Sequence, residues 1–172
     1  MGPEGLNEFS RYFYPQLDKE GLIIDDRANG GGNVSPMILE RLSREPYRLT
    51  MRRGSARIGT VPDAVQVGPK VCLINKYSAS DGDLFPWGFR ALGLGKLIGT
   101  RTWGGIVGIS GSLPYMDGTD IRVPFFTSFD PKTGNWIIEN QGVDPDILID
   151  NDPVKEWNGE DQQLDRAIQE VM

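Results

Sequence analysis

Short continuous runs of apolar residues alternate with helically spaced apolar residues along the first half of the chain. The run Gly21–Asp26 is apolar and partly β-branched, which predicts a buried strand of a mostly parallel sheet. It leads into the glycines Gly30–Gly32, after which Ser35 can cap a helix whose first position is Pro36. Apolar residues at helical spacing then continue until Pro46. This order predicts a strand, a glycine turn and a helix.

A second unit of the same kind follows. Val71–Asn75 predicts another buried strand, and the small residues within Tyr77–Gly82 predict a turn. The next apolar residues share one helical face: Leu84, Phe85, Gly88, Phe89 and Leu92. Because of Pro86, this helix can begin at Asp81 or at Asp83. Two strand–turn–helix units in succession predict an α/β domain with parallel strands.

The second half of the chain has a different pattern. Ile106–Tyr115 and Ile121–Phe129 flank the dipeptide Asp117-Gly118, which is a strong hairpin signal. Thr133-Gly134 offers another turn before the apolar segment Trp136–Ile138. These features predict an antiparallel, β-rich extension of the α/β domain.

Both ends of the chain are predicted to be helical. Apolar residues at helical spacing occupy Leu6–Leu17, where Pro15 disturbs the end of the helix, and a second helical face follows Asp161. The chain has 172 residues, which suits one domain with a single core. We therefore treat residues 1–172 as a single domain.

Composition excludes several classes of function. The net charge of -6 and the pI near 4.7 argue against nucleic-acid binding, and the basic stretch Arg48–Arg57 is interpreted as a solvated strand or hairpin. No apolar run approaches the roughly 20 residues of a membrane helix, and the first residues lack a secretory signal pattern. We expect a cytoplasmic protein without membrane or nucleic-acid partners.

The absence of histidine is the most informative count in the sequence. It removes the commonest general base and the commonest metal ligand together. Cys72 lies in an apolar run, so it is interpreted as a buried core thiol, and one cysteine cannot build a zinc site. We expect neither a metal nor a cofactor.

Ser80 lies between a predicted strand and a predicted helix. In that position a serine meets the free N–H groups of a helix N-terminus, which can stabilise an oxyanion, but it can also simply cap the helix. Gly31 and Gly32 follow the first strand and can offer a second N–H to the same oxyanion, or they can serve a tight turn. The local pattern leaves both pairs of interpretations open.

Three separate motifs in order resemble one protein family. They are GLIIDDRANGGGNVSPMILERLSR, NKYSASDGDLFPWGFRALGLGKLIGTRTWGG and ENQGVDPDI, and together they span nearly the whole chain. They look like the C-terminal catalytic region of tricorn and tricorn-like proteases, a branch of the S41 peptidases that includes the tail-specific proteases. The resemblance implies a ClpP/crotonase-like spiral of strand–turn–helix units.

The resemblance also implies roles for individual residues. Ser80 matches the family nucleophile, and the N–H of Asp81, with one from Gly31 or Gly32, matches the oxyanion hole. Glu139 matches the acidic member of the tricorn charge-relay tetrad, although a solvated carboxylate at a strand end is the alternative.

The resemblance places the serine and histidine of that tetrad in a segment upstream of this chain. Tail-specific proteases use a lysine base instead, at the position that Gly105 occupies here. Lys96 is better explained as an exposed charge, and Lys76 is a remoter candidate. Without a base a serine hydroxyl is a poor nucleophile, so we expect the chain alone to be inactive.

The favoured hypothesis is a serine-type peptidase domain that acts on peptides and forms a homo-oligomer in the full-length protein. The first alternative is a non-catalytic binding module of the same fold, which the missing histidine supports. The second is an acyl-CoA-type enzyme, which needs an acid/base carboxylate but no nucleophile and leaves Ser80 unexplained.

Overall fold

The computed structural model describes residues 1–110 and 114–172. The strands are β1 (Leu22–Asp25), β2 (Arg48–Met51), β3 (Ile58–Val61), β4 (Lys70–Ile74), β5 (Gly95–Gly99), β6 (Gly108–Ser110), β7 (Val123–Phe126) and β8 (Ile147–Leu148). The helices are α1 (Pro3–Phe13), α2 (Ser35–Leu42), α3 (Asp81–Ala91), α4 (Pro153–Trp157) and α5 (Gln162–Val171). Within the described ranges, none of these helices is long and apolar enough to span a membrane.

A four-stranded sheet in the order β1-β4-β5-β8 forms the centre of the molecule. All three neighbouring pairs are parallel, with Cys72 opposite both Ile24 and Leu97. The prediction of parallel strands from the first two apolar runs is confirmed. The carboxyl ends of β1 and β4 lie side by side, so the turns that follow them meet at one edge of the sheet.

Helices cover both faces of this sheet. Cys72 and Ile74 of β4 pack against α1, α2 and α3, where Phe85 and Phe89 are fully buried. Val71 and Leu73 point to the opposite face and pack against α5. A strand buried on both faces needs apolar residues at successive positions, which explains the continuous run.

The start of α2 differs from the prediction. Ser35 was expected to be the cap before Pro36, but the helix already includes Ser35, and Val34 precedes it. The carboxylate of Asp81 accepts the N–H groups of Val34 and Ser35, each at 3.0 Å, and the Ser35 hydroxyl as well. The cap therefore comes from a distant residue, and the Ser35 side chain binds that residue instead of its own helix.

The other helices follow the sequence more closely. Helix α3 begins at Asp81, the earlier of the two starts left open, and it contains Pro86. Helix α1 ends at Phe13 and gives way to a 3-10 turn over Tyr14–Gln16, as Pro15 predicted. Helix α5 confirms the predicted C-terminal helix.

Two antiparallel ribbons extend from the parallel sheet. The basic stretch forms the exposed hairpin β2-β3, and β6 pairs with β7 on either side of Asp117-Gly118. Part of the predicted arm Ile106–Tyr115, residues 111–113, lies outside the described residues. Trp136–Ile138 is not a strand, because only Trp136 forms a bridge, to Phe129.

Candidate functional site

Ser80 occupies the sharp turn between β4 and α3. Its backbone has φ 58° and ψ -115°, a combination that L-residues rarely adopt, and its side chain is exposed. Strained non-glycine backbone of this kind persists only where the surroundings hold it, and it clusters at functional sites. The turn therefore presents a serine to solvent at the N-terminus of a helix.

The carboxylate of Asp83 holds this turn in place. Asp83 is fully buried, and its Oδ2 accepts the N–H of Ser80 at 2.9 Å. The same carboxylate accepts the N–H of Gly104 at 2.7 Å and that of Gly105 at 3.1 Å. Trp103 adds a backbone hydrogen bond to the carbonyl of Ser78 at 2.9 Å. These contacts bind the loop that contains Gly104 and Gly105 to the Ser80 turn, and we call them the Asp83 clamp.

The glycine turn after β1 lies directly against Ser80. Gly31 has φ +112°, and a Cβ built on it would lie 2.8 Å from the Cβ of Ser80 and 3.2 Å from its Oγ. The carbonyl of Asn29 also accepts the N–H of Ala79 at 2.8 Å. The structure thus brings together Gly31 and Ser80, two of the predicted site residues.

The backbone N–H groups around Ser80 differ in their availability. The Gly31 N–H donates to Oδ1 of Asn29 at 3.1 Å. By contrast, the N–H groups of Gly32 and Asp81 donate to no group among the described residues. Two N–H groups, one on each of the two turns, are therefore free to bind a negatively charged oxygen.

Glu139 contacts the residues that directly follow Gly104 and Gly105 of the Asp83 clamp. Its half-buried carboxylate uses Oε2 to accept the N–H of Ile106 at 2.7 Å and that of Val107 at 3.0 Å. The neighbouring Asn140 N–H donates to the carbonyl of Gly104 at 2.7 Å. Glu139 and the Ser80 turn thus contact the same segment, residues 104–107, but Glu139 makes no hydrogen bond to Ser80 itself.

Neither candidate lysine contacts Ser80. Lys96 pairs with Glu170 on α5, and the ammonium of Lys76 lies over the ring of Tyr77, 5.4 Å from its centroid. At Gly105 a side chain would overlap the indole of Trp103. The interpretation of Lys96 as a surface charge agrees with its ion pair.

Sequence reasoning missed Asp26, a carboxyl group buried beneath the glycine turn. It is 3% exposed, its Oδ1 accepts from Nδ2 of Asn29 at 2.8 Å, and its Oδ2 has no partner among the described residues. Burial raises its pKa to about 8, with smaller contributions from the charges of Asp81, Asp25 and Asp83, while the Asn29 hydrogen bond opposes the shift. The alternation of side chains along a strand could have predicted this burial, because it points Asp26 inward when Asp25 points outward.

Cys72 is confirmed as a buried core thiol. It is fully buried in β4, and burial raises its pKa well above the ordinary value. Among residues 1–110 and 114–172, no group of three or more acidic or thiol side chains is placed to hold a metal ion.

Comparison with known proteins gives consistent matches. Residues 2–149 match the model of peptidase family S41. Tricorn protease of Thermoplasma volcanium is 44% identical over 175 residues, which covers 100% of this chain and 16% of that protein. A putative tricorn-like protease C-terminal subunit of Sulfurisphaera tokodaii is 40% identical over 166 residues, which covers 96% of this chain and 19% of that protein.

A solved structure agrees with these sequence matches. A crystal structure of the tricorn protease superposes with a TM-score of 0.90 and 43% identity, and the match covers 98% of this chain and 16% of that one. The superposition confirms the predicted α/β fold class. The chain spans less than a fifth of the length of each of these three proteins.

Replacing Gly31 with alanine tests the contact between the two turns. We expect Gly31→Ala to lower the free energy of unfolding by about 2 kcal/mol, because the new Cβ meets Ser80 and because φ is positive there. Gly30→Ala is the matched control, since a Cβ at Gly30 meets nothing within 4 Å. Urea unfolding of the three proteins provides the measurement. Equal stabilities for the two variants would show that Gly31 does not contact Ser80.

The buried carboxyl of Asp26 should make stability depend on pH. Its raised pKa means that the folded chain keeps a proton that the unfolded chain releases, so this stabilisation is complete below about pH 4 and is lost as pH rises to about 8. We expect Asp26→Asn, a neutral isostere, to gain stability relative to the wild type over that range. Thermal unfolding at about pH 5 and about pH 8 measures the difference, with the exposed Asp18→Asn as control. Parallel pH profiles for wild type and Asp26→Asn would contradict the assignment.

Proposed function

This chain belongs to peptidase family S41, and on that premise we propose that it is the serine-bearing part of a serine-type peptidase site with Ser80 as nucleophile. The observation that carries the proposal is the strained, exposed Ser80 at the N-terminus of α3, with unengaged N–H groups at Asp81 and at Gly32 of the neighbouring glycine turn. A serine that only capped α3 would not require a strained backbone or a glycine turn pressed against it.

The oxyanion hole in this proposal consists of the Asp81 N–H and the Gly32 N–H. Both are unengaged by the described residues, whereas the Gly31 N–H is bound to Asn29. Gly31 instead allows the two turns to approach, because any side chain there would meet Ser80. The resemblance left Gly31 and Gly32 as alternatives, and the hydrogen bonding favours Gly32.

Glu139 acts as the acidic member of the charge relay. Its Oε2 is fixed by two backbone N–H groups, which orients the carboxylate, while its Oε1 accepts no hydrogen bond from the described residues. A carboxylate with one fixed oxygen and one open oxygen can receive a donor from another segment. That donor would belong to the serine and histidine of the relay.

The general base comes from outside these 172 residues. The chain contains no histidine, and Lys76 and Lys96 are engaged away from Ser80. The chain matches a region of a relative whose name calls it a C-terminal subunit, and this name supports a site that is assembled from more than one polypeptide. The chain alone is therefore expected to lack peptidase activity.

The complete reaction is acyl transfer. The base removes the proton from Oγ of Ser80, Oγ bonds to the carbonyl carbon of the peptide, and the Asp81 and Gly32 N–H groups stabilise the oxyanion. Collapse of this intermediate breaks the C–N bond, and the base returns the proton to the leaving amine. Water then attacks the acyl group on Ser80 by the same route and releases the second product.

We further propose that the substrates are peptides and that the enzyme works in the cytoplasm as a homo-oligomer. The relatives' description as proteases supports the substrate class. Exposed aromatic side chains on β7 and in the segment after it support an interface, with Phe125 75% and Trp136 64% exposed.

Supplying the missing base tests this function. Adding the histidine-bearing segment, joined to the chain or as a separate polypeptide, should produce peptide hydrolysis that Ser80→Ala lowers by about a thousandfold or more. Ser55→Ala, at an exposed serine of the β2-β3 hairpin, should leave the rate unchanged. If the assembled protein with intact Ser80 binds peptides but stays inert, the non-catalytic binding module is the better description.

Two substitutions separate the structural role of Glu139 from its catalytic one. Glu139→Gln keeps an oxygen for the Ile106 and Val107 N–H groups but loses the charge, so the assembled enzyme should slow by roughly a hundredfold or more while its unfolding stays unchanged. Glu139→Ala should also lose about 1–3 kcal/mol of stability, because two N–H groups lose their acceptor. Peptide hydrolysis and urea unfolding give the two readouts. Full activity in Glu139→Gln would remove the residue from the relay.

A further inference from the structure

The turn that carries Gly31 and Gly32 is tied to the Ser80 turn by its first residues. The carbonyl of Asp26 accepts the hydroxyl of Ser78 at 2.8 Å, and the carbonyl of Asn29 accepts the N–H of Ala79 at 2.8 Å. A change in the position of Asp26 or Asn29 would therefore move both the glycine turn and the Ser80 turn.

Two side-chain hydrogen bonds connect the Asp26 carboxyl to Gly31. Oδ1 of Asp26 accepts from Nδ2 of Asn29 at 2.8 Å, and Oδ1 of Asn29 accepts the Gly31 N–H at 3.1 Å. The carboxyl thus sets which end of the Asn29 amide faces inward, which leaves the amide oxygen to hold Gly31.

The surroundings of this carboxyl disfavour a charge. Asp26 is 3% exposed, and its Oδ2 has no hydrogen-bond partner among the described residues. The titratable groups that face it are Asp25 from β1, Cys72 from β4, and Asp81 and Asp83 from α3. None of these groups is a cation, and the α-amino group of Met1 bonds to Asn29 and Gly31 rather than to Asp26, so an ionised Asp26 would be buried among acidic groups without an ion-pair partner.

We propose that neutral Asp26 is a positioning residue that supports the oxyanion hole, and that ionisation of Asp26 weakens the binding of a negatively charged oxygen there. The proposal rests on the proposed function of the Ser80 site. While neutral, Asp26 anchors Asn29 and adds no negative charge beneath the glycine turn. Once ionised, it opposes the negative charge that develops on the substrate oxygen and repels Asp81 and Asp83.

The pH range of this effect follows from burial. Desolvation raises the pKa of Asp26 to about 8, so the neutral form predominates at neutral pH and the ionised form at mildly alkaline pH. The α-amino group of Met1 is a second titratable group at this turn, because it donates to the carbonyl of Gly31 and lies 3.5 Å from Oδ1 of Asn29. A test must therefore separate these two groups.

Amide NMR of the chain as it stands makes that separation. We expect the Gly31 and Ala79 amide resonances of the wild type to shift with one inflection near pH 8, together with the side-chain carboxyl carbon of Asp26. Asp26→Asn should keep the low-pH resonance positions from about pH 6 to about pH 10, whereas Asp18→Asn should titrate like the wild type. An inflection at Gly31 that persists in Asp26→Asn would belong to a group other than Asp26 and would overturn the proposal. The proposal would also be overturned if, in the wild type, the carboxyl carbon resonance of Asp26 shifted with pH while the Gly31 amide resonance did not. This second readout does not depend on the folding of any variant.

The pH profile of the assembled enzyme tests the functional half. Peptide hydrolysis by the wild type should fall by roughly threefold to tenfold between about pH 7 and about pH 9, the range expected for one added charge in partly hydrated protein, and Asp26→Asn should not show this loss. Equal profiles for the two proteins would overturn the proposal. If no assembled form hydrolyses peptides, the proposed function fails, and the amide titration still decides whether Asp26 controls the glycine turn.

Discussion

The buried carboxylate of Asp83 is the interaction on which the site depends. A backbone such as that of Ser80 costs on the order of 1–3 kcal/mol, and it persists only if the surroundings compensate for it. Asp83 does so by accepting three backbone N–H groups, from Ser80, Gly104 and Gly105. Charge-assisted hydrogen bonds of this kind are strong, and they also satisfy a carboxylate that is removed from water. One side chain therefore holds both the Ser80 turn and the loop that leads towards Glu139.

Other carboxylates around the site also accept hydrogen bonds from backbone N–H groups. Asp81 accepts the first N–H groups of α2, and Glu139 accepts those of Ile106 and Val107. These acids accept hydrogen bonds from the backbone, while the Asp81 and Gly32 N–H groups have no partner among the described residues. The oxyanion site that we propose would therefore lack a histidine base of its own, because the chain contains no histidine. Asp26 extends the arrangement below the glycine turn, where we propose that a neutral acid supports the site better than a charged one.

Sequence patterns predict the parts of this structure that depend on local order. The buried strands β1 and β4 appear as apolar runs, and Pro15 marks the end of α1. Long-range partners were not predictable: the cap of α2 is Asp81, which lies 46 positions after Ser35. Strand β8 has two residues and is too short to leave a pattern. The resemblance named Gly31 and Gly32 together, and only the hydrogen bond from Gly31 to Asn29 distinguishes them.

The central claim is that Ser80 is positioned as a nucleophile but lacks a base within this chain. Reaction of the chain alone with a fluorophosphonate, followed by mass spectrometry of the modified peptide, tests that claim most directly. We predict negligible labelling of Ser80, at a rate close to that of the exposed Ser55. Rapid labelling that is confined to Ser80 and is lost in Ser80→Ala would contradict it, because a base would then have to be present among these residues.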